Sequence, residues 1–519
     1  MNIATTLEQL ALKHPEHIAI IEQKKGHSKS TSYAELNQQV QAVAAYFKQR
    51  GLKKGDTILL YVDISSSLYA LLLGINRIGA VVLFIDPTYG PKEIKHCIEL
   101  TKPQAIVVAD RLQLIAKVLA PFFGIKKIFA INQFKLERTV PNSAGTSAEI
   151  AAVEDCHPAL ITFTSGSTAL PKGIVRSHGF LNDQCEILTA ELAIGYCQSE
   201  LTTLPIFVLA NLASGVTSIL PSSNLRCRSK QRKQGHSAQV ARQILEHMPE
   251  RVLAAPAFLS QVASYFKERN LKCSFVKEVL TGGGPVFPQL LDLLAEVFPN
   301  AQVVTVYGST EAEPIAHMAV VQDGSLALST IGAGLPQGKV SPYVDLAILS
   351  NDISPEYSES EFQAARATAN VVGEVVVAGR HIIAGYIGGI GDSESKIRVG
   401  SRIFHRTGDA GYLDSNGNLF LVGRASMKIG TPGGSVYPLA VEAAAMATGL
   451  VDSCAFLEVG SKRVLVAKLN SAANRNSEAI LLQRLKFAYI DKVVIRGNIP
   501  MDKRHSSKIL YKKLVQALS

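Results

Sequence analysis

The sequence predicts an α/β protein of more than one domain, and three observations carry that prediction. Short apolar runs at 57–62, 81–85, 105–108 and 127–131 have the near-continuous apolar character of strands buried on both faces of a parallel sheet. Segments with helical spacing alternate with them, the pattern of helices laid over such a sheet. The chain has 519 residues, of which 47% are hydrophobic, enough to fill more than one core in about two to four domains.

Taken in order, Thr5 to Lys13 and Ser32 to Arg50 recur at helical spacing. The most apolar stretch, Tyr69 to Ile85, holds Asn76 and Arg77 and ends in a partly β-branched run; it reads as a helix followed by a buried strand, not as a membrane span. The opening MNIATTLEQLALKHPEH lacks a basic start and an apolar core, so it does not read as a signal peptide. Ser222 to His236 is polar and basic and reads as an exposed connection. Asn351 to Thr368, rich in Ser and Glu, reads as a surface loop or a short helix in a strand-rich region. Glycine-punctuated strands run from Val371 to Gly423-Arg424, and 425–519 reads as a small α+β domain. No internal repeat is visible.

Charge and cysteine usage narrow the function classes. A net charge of +10 spread over a long chain is weak grounds for a nucleic-acid partner, and none is expected. The dense run Arg226 to Lys233, RCRSKQRK, reads as a solvated loop, with an acidic carrier protein, a phosphorylated ligand or a membrane surface as the alternatives. It has no interleaved aromatics for stacking on single-stranded nucleic acid. Seven scattered cysteines without C-x-x-C or metal spacing read as the reduced thiols of a cytoplasmic protein.

The chemistry is concentrated in residues 162–173, TFTSGSTALPKG. Short side chains let backbone N–H groups turn toward an anion; Thr164, Ser165, Ser167 and Thr168 add hydroxyl donors around Gly166, and Lys172 adds charge. The run is not a Walker loop, because Lys172 precedes its glycine and no Ser or Thr follows to hold magnesium. A flexible polar loop before Pro171 is the plain alternative.

Further segments stand in a fixed order: Gly282-Gly283-Gly284, Tyr307-Gly308-Ser309-Thr310-Glu311, Thr407-Gly408-Asp409, Gly423-Arg424 and Lys508, with Ala80 and Asp86-Pro87 upstream. Singly, Y-G-S-T-E reads equally as a strand leading into a capped helix, T-G-D as a turn, and Arg424 or Lys508 as surface cations. Together with the phosphate-loop run they resemble the acyl-adenylate-forming superfamily over nearly the whole chain. Within it the likeness is closest to the β-lactone synthetases of olefin biosynthesis and the fatty acyl-AMP ligases, carried by LPIFVLANLASGVTSILP at 204–221, YGSTEAEPIA at 307–316, FHRTGDAGYLD at 404–414 and IPMDKRHSSKI at 499–509.

The resemblance implies a large adenylation domain over 1–424, with layered α/β subdomains and a distorted β-barrel, and a small mobile C-terminal domain over 425–519. It implies ATP and Mg²⁺ as cofactors. Thr164 to Lys172 would hold the β- and γ-phosphates, Thr310 would touch the α-phosphate, and Glu311 would help bind Mg²⁺. Tyr307 would stack on adenine beside Gly282, Gly283 and Gly284; Asp409 would accept from the ribose hydroxyls; Arg424 would reach ribose or phosphate. Lys508 would bridge the attacking carboxylate and the α-phosphate, a task that suits a compact point charge. His178 and His405, beside these motifs, read equally as hydrogen-bonded structural histidines.

Departures from the family pattern bear on the second half-reaction. Ala169 stands where the family has glycine, and after Gly423-Arg424 the text is ASMKIGTPGG, with Ser426 at the hinge position. That hinge disfavours CoA as acceptor without removing an acyl-CoA or acyl-carrier ligase as the alternative. Asp502, Arg504 and His505 precede Lys508 where ordinary members carry Pro…Gly-Lys, and His505 is the general-base candidate for attack by a substrate's own 3-hydroxyl. The apolar character of Leu204 to Pro221 favours a hydrophobic carboxylic acid as substrate. A non-catalytic nucleotide- or acyl-binding relative is the reading of another class; joint retention of Lys172, Glu311, Asp409, Arg424 and Lys508 argues against it.

Overall fold

The computed structural model describes residues 1–24, 27–136, 149–164, 170–195, 197–221, 230–320, 332–350, 353–502 and 508–518, with backbone alone for 230–234. The chain forms two compact units, Met1–Ser222 with Ile383–Ser393, and Ser223–Ile382 with Glu394–Ser519.

In the first unit the chain runs α1 (Ala4–Lys13), β1 (Ile18–Lys24), β2 (His27–Ser32), α2 (Tyr33–Gln49), β3 (Thr57–Tyr61), α3 (Ser66–Arg77), β4 (Val81–Phe84), α4 (Pro91–Thr101), β5 (Ala105–Val108), α5 (Gln113–Leu119), β6 (Lys127–Ala130), β7 (Pro158–Thr164), β8 (Lys172–Ser177), α6 (His178–Glu191), β9 (Ser199–Thr202), α7 (Pro205–Ser214) and β10 (Thr217–Leu220). The expected strands at 57–62, 81–85, 105–108 and 127–131 all form, each within a residue of its expected ends. They lie in a six-stranded sheet ordered β6-β5-β3-β4-β7-β8, parallel except for the β7–β8 hairpin. Helix α2 starts on a capping box: Ser32 Oγ accepts from Glu35 N and the Glu35 carboxylate accepts from Ser32 N. Helix α3 is buried almost all round, which explains its apolar sequence without a membrane. Among the described residues no helix is long and apolar enough to cross one.

The second unit contains α8 (Lys230–His247), β11 (Arg251–Ala254), α9 (Pro256–Lys267), β12 (Glu278–Gly282), α10 (Pro288–Val297), β13 (Gln302–Ser309), β14 (Ala312–Val320), β15 (Leu335–Val340), β16 (Asp345–Leu349), β17 (Glu356–Tyr357), α11 (Glu359–Ala365) and β18 (Gly373–Ala378). A short turn α12 (Asp392–Ser395) precedes β19 (Lys396–Val399), β20 (Arg402–Leu413) and β21 (Asn418–Arg424). Strands β11, β12 and β13 are parallel, and from β13 the sheet continues antiparallel through β14, β15, β21, β20, β18 and β16. Register shifts at Tyr307/Ser309, Pro336/Gly338, Glu374/Val376 and Ala410/Gly411 bend this run, and an Ala312–Ile382 bridge links the start of β14 to the residues after β18. One expectation is corrected here: from Lys230 the presumed connection is the start of α8, whose Lys, Gln and Arg residues are good helix formers. Residues 226–229 lie outside the described residues. The Ser/Glu-rich segment supplies α11, opened by a capping box between Ser358 and Glu361.

After Arg424 come β22 (Ile429–Thr431), β23 (Gly434–Val436), α13 (Pro438–Met446), β24 (Val451–Val459), β25 (Lys462–Leu469), α14 (Ser477–Arg484), β26 (Lys492–Ile495) and α15 (Tyr511–Leu518). Strands β24, β25 and β26 form a three-stranded sheet. Val441, Phe456 and Leu465 sit in the core on one side of it, Leu457, Val466 and Leu514 on the other.

Candidate active site

In the first unit the hydroxyl-rich run stands in the chain between the paired strands β7 and β8. Thr164 ends β7, Lys172 begins β8, and the two pair directly across the ladder. Ser165, Gly166, Ser167, Thr168 and Ala169 lie outside the described residues. Thr164 is buried. The Lys172 ammonium donates to the Gly391 carbonyl at 3.3 Å and stands 5.0 Å from the centre of the Tyr386 ring. Gly391 has φ +92°, and a Cβ there would collide with the end of the Lys172 side chain, so only glycine leaves the lysine its place. Sequence reasoning missed this support. Its one trace was the glycine-rich text GYIGGIG at 385–391.

In the second unit the parallel strands β12 and β13 end side by side, as their apolar sequences require. Gly282 closes β12 opposite Val306, and a Cβ on it would strike the Val306 carbonyl oxygen; Gly283 and Gly284 follow as the loop. Tyr307, on β13, is buried, and its hydroxyl donates to Asp409 Oδ2 at 2.8 Å. Thr310 and Glu311 form the two-residue turn between β13 and β14, both half-buried, with Glu311 N donating to Ser309 Oγ. The Y-G-S-T-E motif is thus a β-hairpin, not the start of a helix.

Asp409 lies on β20 directly opposite Arg424 on β21. Arg424 Nη1 meets Asp409 Oδ1 at 3.0 Å and donates to the Thr407 carbonyl at 3.1 Å. Thr407 Oγ1 donates to the Val375 carbonyl and accepts from Asp409 N, so T-G-D lies within β20 at an irregularity of its ladder with β18 and is not the expected turn. Burial pushes the Asp409 carboxyl above the usual range, while Arg424, the Tyr307 hydroxyl and the Lys508 ammonium pull it down. Burial also raises the Tyr307 hydroxyl, with the Asp409 charge adding to the effect. A quarter of the Asp409 side chain remains exposed, so this acceptor is anchored yet open to a ligand.

Lys508 is exposed and its charge reaches Asp409. Its backbone is tied to Asp502: Asp502 N donates to the Lys508 carbonyl at 2.8 Å, Lys508 N donates to Asp502 Oδ1 at 2.9 Å, and Met501 pairs with Ile509. Asp502 therefore serves to hold the Lys508 backbone. Arg504 and His505 lie outside the described residues, and Ser426 is exposed on a short 3₁₀ turn.

The tempting histidines are structural. His178 is fully buried, accepts from Ile3 N through Nδ1, and is pushed down to about 4 first by burial and then by His157 stacked on it. His405 is buried with Nδ1 at 3.2 Å from both the Lys396 ammonium and the Ser395 carbonyl. The apolar segment 204–221 is also spent on the interior: Phe207, Val208, Leu212 and Ile219 are buried. Its composition therefore follows from packing. The six described cysteines are free thiols.

The Tyr307–Asp409–Arg424 set and the glycines cleared at the end of a parallel sheet in the second unit, and Lys172 at the start of β8 in the first, are in keeping with an ATP-dependent, AMP-forming ligase that activates a carboxylic acid, the class to which comparison with known proteins assigns the chain. The profile described as AMP-binding enzyme matches residues 7–387, and the chain belongs to that family. Among curated relatives, an olefin β-lactone synthetase of Xanthomonas campestris is 27% identical, covering 99% of this chain and 96% of that protein. Another olefin β-lactone synthetase, from Stenotrophomonas maltophilia, is 26% identical over 99% of this chain and 97% of that one. Among solved structures, the o-succinylbenzoate coenzyme A synthetase of Bacillus subtilis in complex with ATP and magnesium superposes with a TM-score of 0.76 at 19% identity, covering 98% of each chain.

Proposed function

We propose that the protein adenylates a hydrophobic β-hydroxy carboxylic acid and closes it to a β-lactone with release of AMP. The observation that carries this reading is the match to two olefin β-lactone synthetases along nearly the full length of both partners. The exposed Ser426 at the hinge position, where thioester-forming relatives have a different pattern, supports it.

In the first step the substrate carboxylate attacks the α-phosphate of ATP, and pyrophosphate leaves. Both reactants are anions, so the protein's part is charge neutralisation and in-line placement. Thr164, Lys172 and the hydroxyls and amides of 165–168 hold the β- and γ-phosphates. The Tyr307 ring, its hydroxyl held by Asp409, meets adenine beside Gly282, Gly283 and Gly284. Asp409 accepts from the ribose hydroxyls with Arg424 beside it, and Thr310 donates to the α-phosphate. Among the described residues no three His, Cys, Asp or Glu gather as a metal site. Glu311 and the ATP phosphates would hold a Mg²⁺, which suits an ion bound by one or two carboxylates plus phosphate. When bound there it would supply charge compensation on the phosphates. Lys508, carried by a small C-terminal domain over 425–519, steadies the attacking carboxylate against the α-phosphate.

In the second step the substrate's 3-hydroxyl oxygen attacks the acyl carbonyl, the bond from carbonyl carbon to AMP oxygen breaks, and AMP leaves with that electron pair. The hydroxyl proton passes to a base, for which His505 is the candidate. The net change in the acid is loss of one water.

The test is incubation with ATP, Mg²⁺ and a long-chain 2-alkyl-3-hydroxy acid, with and without CoA. Pyrophosphate release that is independent of CoA, matched by a product lighter than the acid by one water, is the expected result. A thioester formed only with CoA would make the protein an ordinary acyl-CoA ligase.

A further inference from the structure

The segment joining β5 to β6 is built inside out. Helix α5 and the 3₁₀ helix Ala120–Phe123 that continues it turn small side chains inward, with Ala116 and Ala120 buried. The large side chains face solvent: Leu114, Ile115, Val118, Leu119 and Phe122 are 77%, 56%, 63%, 51% and 82% exposed. Their spacing, i, i+1, i+4, i+5 and i+8, places all five on one helical face. A surface helix that served only its own fold would point these residues at the core. Among the described residues no other short segment exposes so many large apolar side chains.

Basic residues outnumber acidic ones along this stretch: from Asp110 to Glu137 the chain carries Arg111, Lys117, Lys126, Lys127 and Lys135 against Asp110 and Glu137 at its two ends. Lys117, Lys126 and Lys135 are exposed; Arg111 pairs with Asp63, and Lys127 donates to the carbonyls of Arg50 and Gly51. Leucine, valine and phenylalanine on one face, with Lys117 on the same helix and further exposed lysines close by in the chain, is the composition of helices that lie in the headgroup layer of a membrane. A protein partner is less well matched, because lysine is depleted in protein interfaces.

We infer that the α5 face and the 3₁₀ helix after it dock the protein on an anionic lipid bilayer, with the five apolar side chains inserted at the headgroup boundary and the lysines against acidic headgroups. The inference stands apart from the β-lactone reading, since neither the observation nor the test involves a substrate.

The full chain is floated with phosphatidylcholine vesicles, with and without phosphatidylglycerol, at low and high salt, beside an L114Q/V118Q/F122Q variant. The expected result is binding at least about tenfold tighter to the anionic vesicles, weakened by salt and lowered at least about tenfold in the variant. Sedimentation velocity and circular dichroism are run on both proteins. Failure of the wild type to float, or equal flotation of a folded variant, overturns the inference. So does a wild-type dimer that the variant splits into monomers, which would assign the face to a second copy of the chain. If the apolar variant is not folded, a K117E/K126E variant decides: loss of binding to anionic vesicles supports the inference and unchanged binding overturns it.

Discussion

Glu442 is a buried carboxyl whose ionisation should set the pH dependence of stability near Lys508. It lies on α13 at 3% exposure and accepts from Phe456 N at 3.0 Å and from the Tyr511 hydroxyl at 2.5 Å. Burial nevertheless pushes it from an ordinary 4.5 up to about 7. Tyr511 opens α15 three residues after Lys508, so Glu442 on α13 ties α15 to Phe456 of the three-stranded sheet. The native state holds the proton more tightly than the unfolded chain. The stability Glu442 contributes is therefore fully present below pH 4.5 and is lost as pH rises through about 7. At about 1.4 kcal/mol per pH unit over that window, the loss is about 3 kcal/mol. Glu442→Gln keeps an acceptor for both donors and cannot ionise. Any constant cost of the exchange cancels when the two proteins are compared across pH. Urea unfolding of wild type and variant at pH 5, 6, 7 and 8 should show the difference moving in favour of the variant by about 2.5 kcal/mol between the extremes, the rest of the change lying below pH 5. A difference that stays flat with pH, or moves toward the wild type, would refute the reasoning.

Other outcomes follow from the site. Asp409→Asn removes the charged acceptor and leaves Arg424 without its carboxylate; the KM for ATP should rise about 10- to 100-fold, the worth of one to two charge-assisted hydrogen bonds, in a pyrophosphate-release assay. Gly391→Ala, at φ +92° and against the end of the Lys172 side chain, should raise the KM for ATP about tenfold, with a stability loss of about 1 kcal/mol; an unchanged KM would detach Gly391 from the phosphate site. Lys508→Ala should slow adenylation by about 10²- to 10³-fold while ATP binding, read by calorimetry, stays within a few-fold. His178→Asn should leave kcat unchanged and lower the thermal midpoint, because the imidazole is a neutral buried acceptor for Ile3 N.

The parallel-sheet half of the fold was legible because buried strands carry apolar side chains on both faces, as in 57–61, 81–84 and 105–108. Helix α8 was not, since a basic run such as 226–233 looks the same on a solvated helix as in a loop. The candidate nucleotide residues stand out in the sequence as ordered motifs, but their local structure does not. Nothing in Y-G-S-T-E separates a hairpin from a capped helix until β14 is known to return along β13. The Gly391 and Tyr386 support of Lys172 was hidden because it arises from residues more than two hundred positions away. Conversely, the apolar run 204–221 said less about substrate than its composition promised, because the core explains it.

The central claim, adenylation followed by attack of the substrate's own hydroxyl, is tested most directly by oxygen labelling. A 2-alkyl-3-hydroxy acid carrying ¹⁸O at the 3-hydroxyl is converted with ATP and Mg²⁺ in the absence of CoA, and in a second sample the label is placed in the carboxylate. The account predicts a lactone that retains the hydroxyl label in its ring, and AMP that acquires one oxygen from the labelled carboxylate. AMP that gains carboxylate oxygen with no lactone formed would keep the adenylation and remove the ring closure. A lactone formed without transfer of carboxylate oxygen to AMP would contradict the account at its first step.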